Sequence, residues 1–310
     1  MEEEHFSFSL VAIPKNLQCF VIFIATIAYF SIKSENFRYY LKLVIYVGGM
    51  NIAALALIPI MVFRPKNVKN LIWAGYVTRP ISTILGIKWE LRGAELIGQD
   101  KSFVIVANHQ SSIDVLGMLY IWPIMDKCTV VAKKELLYAF PFSLAAWLCG
   151  LIFIDRKHAD RAKASINDAC DYLKNNRIKL WIFPEGTRRN TREIHEFKKG
   201  AFHAAITNQI PILPVVISSY SSFLDDKRRR FDRGNVIITT LPPISTEGLT
   251  QEDMEDLMER TRNTMIKTFN DTTKEVEANY QVTNFNKKYN FFPKMSDITW
   301  RPSFRAVDLG

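Results

Sequence analysis

Between Leu43 and Phe63 the chain reads LVIYVGGMNIAALALIPIMVF, 21 residues without a formal charge. A helix needs about 20 apolar residues to cross the hydrocarbon of a bilayer. This run therefore restricts the chain to folds that place a long apolar helix in or against a membrane; two buried helices of a soluble protein fit its length less well. A second apolar run, Leu17 to Ile32, is shorter, and either spans obliquely or enters one leaflet and returns. Glu2, Glu3 and Glu4 stand where a secretory signal would carry its basic region, so a cleaved signal peptide is not expected. Lys33, Arg38 and Lys42 between the runs nearly balance Lys15, Arg64, Lys66 and Lys69 outside them, which leaves a hairpin anchor and two full spans both open. Residues 1–70 are expected to form this anchor.

Beyond it the pattern changes to short apolar runs separated by helical ones. Phe103 to Ala107, Thr129 to Ala132, Leu151 to Ile154, Lys179 to Phe183, Ile212 to Ile217 and Val236 to Leu241 read as strands. Helical segments fall between several of them, most clearly Ala159 to Asn175. The alternation predicts an α/β domain over residues 71–275, with a largely parallel mixed sheet flanked by helices. From Glu252 onward Met254, Leu257, Met258, Met265 and Phe269 recur at helical spacing and predict an amphipathic outer helix. Residues 276–310 have no clear period and read as a loosely structured tail.

In open sheets of this kind ligands sit beyond the carboxyl ends of strands, and two such ends are chemically loaded. The first is VIVANHQSSIDVLGMLY, Val104 to Tyr120. His109 lies in the turn after the strand, Ser111 and Ser112 are competent helix caps, and Asp114 falls in the first turn of the following helix, where the helix dipole favours an anion. Residues five apart in one helix point about 140° apart, so His109 must precede the helix if Asp114 is to reach its ring. Such a pair makes a base with an orienting acid. Taken alone, the stretch is explained more readily by a polar turn that caps a helix. The second end is KLWIFPEGTRRNTRE, where a strand stops at Pro184 and a turn carries Glu185, Gly186, Thr187, Arg188 and Arg189. Glycine permits close backbone approach, and a guanidinium can grip a phosphate with two parallel hydrogen bonds. By itself this run is better explained by a solvated basic turn, since arginine is common in polar turns.

The chain has 40 Lys and Arg against 31 Asp and Glu. That excess suits a nucleic acid, a phosphorylated substrate or an anionic membrane. The basic residues are dispersed rather than arrayed with stacking aromatics, so no nucleic acid is expected. Cys19, Cys128, Cys149 and Cys170 have neither metal-type nor redox-type spacing, and no metal is expected.

Four blocks then carry a resemblance. NHQSSID resembles the NHxxxxD motif of glycerolipid acyltransferases, GLIFIDR (Gly150 to Arg156) their second block, FPEGTR (Phe183 to Arg188) their third and IPILPV (Ile210 to Val215) their fourth. AKKELL (Ala132 to Leu137), FKKGAFHAA (Phe197 to Ala205) and LPPISTEGLT (Leu241 to Thr250) match as well. The resemblance covers roughly residues 70 to 270 and is nearest to the eukaryotic 1-acylglycerol-3-phosphate acyltransferases. It implies transfer of a fatty acyl group from acyl-CoA to the sn-2 hydroxyl of lysophosphatidate, with acyl-CoA as co-substrate and no further cofactor. It implies His109 as general base and Asp114 as its orienting acid. Arg188 would bind the glycerol phosphate, with Glu185, Gly186 and Thr187 shaping that loop as substrate-binding residues. Lys133 is a second phosphate candidate, with Lys134 as its neighbour, and Arg156 either serves the same pocket or pairs with Asp155.

Histidine suits this task near neutral pH, because an alcohol is a poor nucleophile until a base takes its proton. The same motifs occur in acyltransferases and transacylases for glycerol 3-phosphate and other lysophospholipids, and a silent lipid-binding protein of this fold is the alternative of a different class. A third uncharged run, Leu136 to Ile154, would pass a hydropathy filter. A crossing there would put the His109 and Arg188 turns in opposite compartments, so it is expected to pack against the domain, with Pro141 and Gly150 making it irregular. The resulting expectation is an enzyme of the endoplasmic reticulum membrane with its catalytic domain facing the cytosol, in contact with the lipid bilayer.

Overall fold

The computed structural model describes residues 15–155 and 159–288. Helices α1 (Lys15–Lys33) and α2 (Glu35–Met61) are the two N-terminal apolar runs, parted at Ser34, whose Oγ accepts a hydrogen bond from the Phe37 N–H at 3.2 Å. Both are long and apolar enough to cross a membrane. They are used differently. Along α1, Phe20, Ile22, Phe23, Tyr29 and Phe30 stand exposed, whereas α2 buries one face through Tyr39, Tyr46, Met50, Ala54, Leu57 and Met61. The other face of α2 exposes Val44, Val47, Ile52, Leu55 and Ile60. A helix apolar on every side has no water-facing stripe to orient it; here one side is part of the protein core.

The chain continues as α3 (Asn70–Leu85), β1 (Ile87–Arg92), the single turn α4 (Ala94–Ile97), β2 (Val104–Ala107), α5 (Asp114–Met125) and β3 (Cys128–Lys133). Then follow α6 (Phe142–Leu148), β4 (Ile152–Ile154), α7 (Ala159–Asn175), β5 (Lys179–Ile182), α8 (Gly200–Thr207) and β6 (Ile212–Ile217). A small hairpin, β7 (Leu224–Asp225) and β8 (Arg230–Phe231), precedes β9 (Gly234–Thr240) and the long α9 (Met254–Lys288). Seven strands form one sheet in the order β1-β9-β6-β2-β5-β3-β4. Every pairing is parallel except β6 with β9, so the expected mixed, largely parallel α/β sheet is what forms.

The central strands VIVA, KLWI and ILPVVI are buried along their whole length, as strands covered by helices on both faces must be. Their side chains alternate between two cores. Ile105, Trp181 and Leu213 join Trp122, Leu85 and Leu57 under α2, α3 and α5. Val104, Val106, Leu180 and Ile212 join Phe202, Leu257, Met265 and Phe269 under α7, α8 and α9. One close approach fixes β1 against α5: a Cβ on Gly117 would stand 2.6 Å from Cζ3 of Trp89, so only glycine admits that ring.

Three expectations need correction. β1 was absent from the expected strands although Ile87, Trp89 and Leu91 alternate; its first four residues run buried, exposed, buried, exposed. Neither Ser111 nor Ser112 caps α5, whose N-cap residue Ile113 makes no side-chain cap bond. Helix α9 passes the expected boundary at 275 and runs to Lys288, packing against β6, β9 and α8 on the way; the rest of the expected tail lies outside the described residues. The run Leu136 to Ile154 does not make a crossing helix. It divides into a 3-10 turn (Lys134–Tyr138), the seven-residue α6 and the strand β4, and leaves Leu137, Tyr138, Phe140 and Trp147 exposed.

Candidate active site

β2, β5 and β6 are neighbours in the sheet, and the turns that follow them meet. Asn108 leaves β2 and grips the end of β6 by its amide: Nδ2 donates to Ile217 O at 2.9 Å and Oδ1 accepts from Ile217 N at 2.8 Å. Gln110 adds bonds from Nε2 to Ile217 O and Ser218 O. Between these two clamps stands His109.

Asp114 is the first residue of α5 and is fully buried. Its Oδ2 accepts from His109 Nδ1 at 2.6 Å, Gln110 N at 2.8 Å and Ser111 N at 3.0 Å. The carboxylate thus folds back over the turn and pairs two backbone donors that precede the helix, while the N-terminal end of the helix favours its charge. Nδ1 is the nitrogen that carries the proton in this pairing, which leaves Nε2 on the far side of the ring as a lone-pair acceptor. The ring lies flat on Phe183, with centroids 3.9 Å apart and planes 16° from parallel.

The turn after β5 is bonded to the His109 turn through both main-chain groups of that residue. His109 N donates to Glu185 Oε1 at 2.8 Å, and Arg189 N donates to His109 O at 3.1 Å. Glu185 is buried, and burial above all pushes its carboxyl up to about 7, with the charge of Asp114 adding to the effect against the backbone bonds from His109 and His195. Its Oε2 makes no hydrogen bond. Gly186 holds φ at +70°, a left-handed turn that favours glycine, and a Cβ there would only push aside the end of the flexible Lys198 side chain.

The expected site residues divide by placement. His109, Asp114, Glu185 and Gly186 form one bonded cluster. Thr187 and Arg188 are exposed on its rim. Arg188 lines a cleft of about 340 Å³ together with Gln110, Ser111, Ser112, Asn190 and Tyr39. Lys133 is exposed at the carboxyl end of β3, one strand beyond β5 on the same edge of the sheet, with Lys134 next to it. Arg156 lies outside the described residues.

Sequence reasoning overlooked Asn108, Gln110 and Phe183 as supports of the base, although all three sit inside the quoted motifs. It also overlooked a narrow apolar cavity of about 70 Å³ between α2, α3, α5 and α6, lined by Met50, Leu57, Leu71, Met118, Phe142 and Ala146 among others. Val115, directly after Asp114, is part of its wall. No sequence spacing could have found it, because four separate helices build it.

A family model described as Acyltransferase matches residues 88–218. The human 1-acyl-sn-glycerol-3-phosphate acyltransferase alpha is 39% identical over 236 residues, which is 76% of this chain and 83% of the human protein. The chain belongs to the 1-acyl-sn-glycerol-3-phosphate acyltransferase family. A yeast (Saccharomyces cerevisiae) member is 35% identical over 274 residues, covering 82% of this acyltransferase and 88% of its own length. In fold the acyltransferase resembles the crystal structure of the 1-acyl-sn-glycerophosphate (LPA) acyltransferase PlsC from Thermotoga maritima, with a TM-score of 0.56 at 22% identity, over 76% of this chain and 94% of that one. The segment matched by the family model begins within β1 and ends just after β6. It therefore holds the turns after β2 and β5 and the strand β6 against which they are clamped, and leaves out α1, α2 and α3.

Proposed function

We propose that this acyltransferase moves a fatty acyl group from acyl-CoA to the sn-2 hydroxyl of 1-acyl-sn-glycerol 3-phosphate, giving phosphatidate, with His109 as general base. The observation that carries the mechanism is the 2.6 Å bond between His109 Nδ1 and the buried Asp114, which turns Nε2 toward the substrate side as an acceptor. Nε2 takes the hydroxyl proton as the oxygen attacks the thioester carbonyl. The new C–O bond forms, the C–S bond breaks, and the imidazolium returns its proton to the departing CoA thiolate. Asp114 stabilises the imidazolium between these steps, as the acid of a serine-protease triad does. No acyl-enzyme is required, and no cofactor beyond acyl-CoA enters the reaction.

The remaining residues follow from charge and shape. Arg188 holds the phosphate of lysophosphatidate across the cleft from Ser111 and Ser112, with Thr187 beside it and Glu185 and Gly186 setting the turn. Lys133 supplies a second cation from the neighbouring strand end. The apolar cavity beginning at Val115 takes an acyl chain, whose burial is favourable by ~0.8 kcal/mol per methylene. On this reading Arg188→Ala raises the KM for lysophosphatidate far more than that for acyl-CoA, and Arg188→Lys restores only part, because lysine lacks the planar fork. Steady-state kinetics with acyl-CoA and a panel of lysophospholipids and glycerol 3-phosphate test the assignment. Preference for another acceptor would change the substrate, and absence of CoA release with every acceptor would leave a lipid-binding protein.

We further propose that α1, the outer face of α2 and the exposed apolar residues between Leu137 and Trp147 lie in the lipid of the endoplasmic reticulum, with the catalytic domain in the cytosol. The apolar surfaces named above, exposed among the described residues, support this reading. The sequon Asn270-Asp271-Thr272 in α9 reports on it. Asn270 should carry no glycan, and protease added to sealed microsomes should cleave the C-terminal region without detergent. A glycan lost in Asn270→Gln, or full protection, would place the domain in the lumen.

A further inference from the structure

Two buried polar atoms beside the histidine and aspartate lack partners, and they are complementary. Asp114 Oδ2 has three donors, but Oδ1 of the same fully buried carboxylate has none. Tyr220, three residues beyond the end of β6, is likewise fully buried, and its hydroxyl, close enough to Asp114 to interact with it, reaches no partner at full hydrogen-bond geometry. An isolated buried acceptor and an isolated buried donor each carry a desolvation penalty that pairing removes. Asp114 is the charged group nearest in effect to that phenol: burial first, then the Asp114 charge, hold the hydroxyl well above the usual phenol range, as a neutral donor.

The ring has little freedom to point elsewhere. Trp89 meets it edge-on with centroids 6.4 Å apart, and Phe223 packs at 5.6 Å. Trp89 is itself pinned by its bond from Nε1 to Ser82 Oγ at 2.9 Å and by the space over Gly117 of α5. The backbone of Tyr220 is tied to the turn of the base, since Tyr220 N donates to Gln110 Oε1.

We propose that Tyr220 is a positioning residue of the acyl transfer, donating its hydroxyl to Asp114 Oδ1 and so holding the carboxylate plane in line with His109. This rests on the reading of His109 as general base. The hydroxyl of Tyr220 completes the set of donors to Asp114: three reach Oδ2 and one reaches Oδ1. Without it the carboxylate can rotate about its Cβ–Cγ bond, and the imidazole loses its fixed direction. The titratable and charged groups around the pair are Glu185 from the turn after β5, Tyr46 from α2 and, facing Tyr46, Arg188. Tyr46 is otherwise committed, its hydroxyl donating to Ser112 O at 2.7 Å.

Tyr220→Phe removes one oxygen from a packed ring and tests the assignment. The expected result is a ~10- to 150-fold fall in kcat, the range of one lost hydrogen bond to a charged group. KM for both substrates should stay unchanged, since the buried phenol touches neither. The acidic limb of the kcat/KM profile should move to higher pH, because a carboxylate with one donor fewer binds the shared proton of the aspartate–histidine unit more tightly. Tyr46→Phe should leave that limb where it is. A Tyr220→Phe enzyme with the parent's kcat and limb overturns the proposal, as does a lowered melting temperature alone, or an equal limb shift in Tyr46→Phe. His109→Ala assayed alongside separates the two readings: substantial turnover there removes the general base itself, whereas an inactive His109→Ala with a parent-like Tyr220→Phe removes only Tyr220.

Discussion

His109→Ala is expected to lower acyl transfer by ~10² to 10⁴, the usual contribution of a positioned general base, and to leave the protein folded. The fold should survive because the turn is held by its neighbours. Asn108 and Gln110 clamp it to β6 with their side chains, and both main-chain groups of His109 bond to the turn after β5. What the imidazole adds is the stack on Phe183 and the bond to Asp114. A thiol-trapping assay for released CoA, with circular dichroism on the same sample, measures both halves. Turnover within a few-fold of the parent would end the general-base mechanism.

Asp114→Asn should be impaired on the same scale while removing only a charge. The amide oxygen can still accept from Gln110 N and Ser111 N, so the turn keeps its donors paired. The imidazolium then has no anion beside it, and if the amide turns its nitrogen toward the ring, it forces the proton onto Nε2, the atom that must accept one. On the proposed mechanism His109 and Asp114 act as one unit. The double variant should therefore be little slower than either single variant. Losses that multiply in the double variant would show that the two residues act independently.

The helices and strands were legible where hydrophobic pattern alone decides them. The fully buried β2, β5 and β6 have continuous apolar runs, and α5 shows as a run with no polar face after Asp114. That His109 and Asp114 could meet was legible from their five-residue separation across a strand end, whereas their reading as base and acid came from the resemblance of the four blocks. β1 was not read although its alternation is plain and Gly86 and Gly93, both with positive φ, bound it on either side. The serine cap did not form because the helix begins at Asp114, whose N–H, like that of Val115, bonds to the main-chain oxygens of Ser111 and Ser112 rather than to their hydroxyls. Tyr220 had no signal at all. Its role depends on the alignment of β6 beside β2, which no local spacing encodes.

The crossing of three chain segments at His109 also fixes when this enzyme can work. Asn108 bonds to a residue 109 positions away and His109 to one 76 positions away. Parallel strands with such long connections pair late, because loop closure must precede the contacts that reward it. Helical content will therefore recover early in refolding, while turnover will return only as β6 seats against β2. A chain released from the ribosome before Ile217 would carry the histidine, the aspartate and the arginine, and would still have no catalyst.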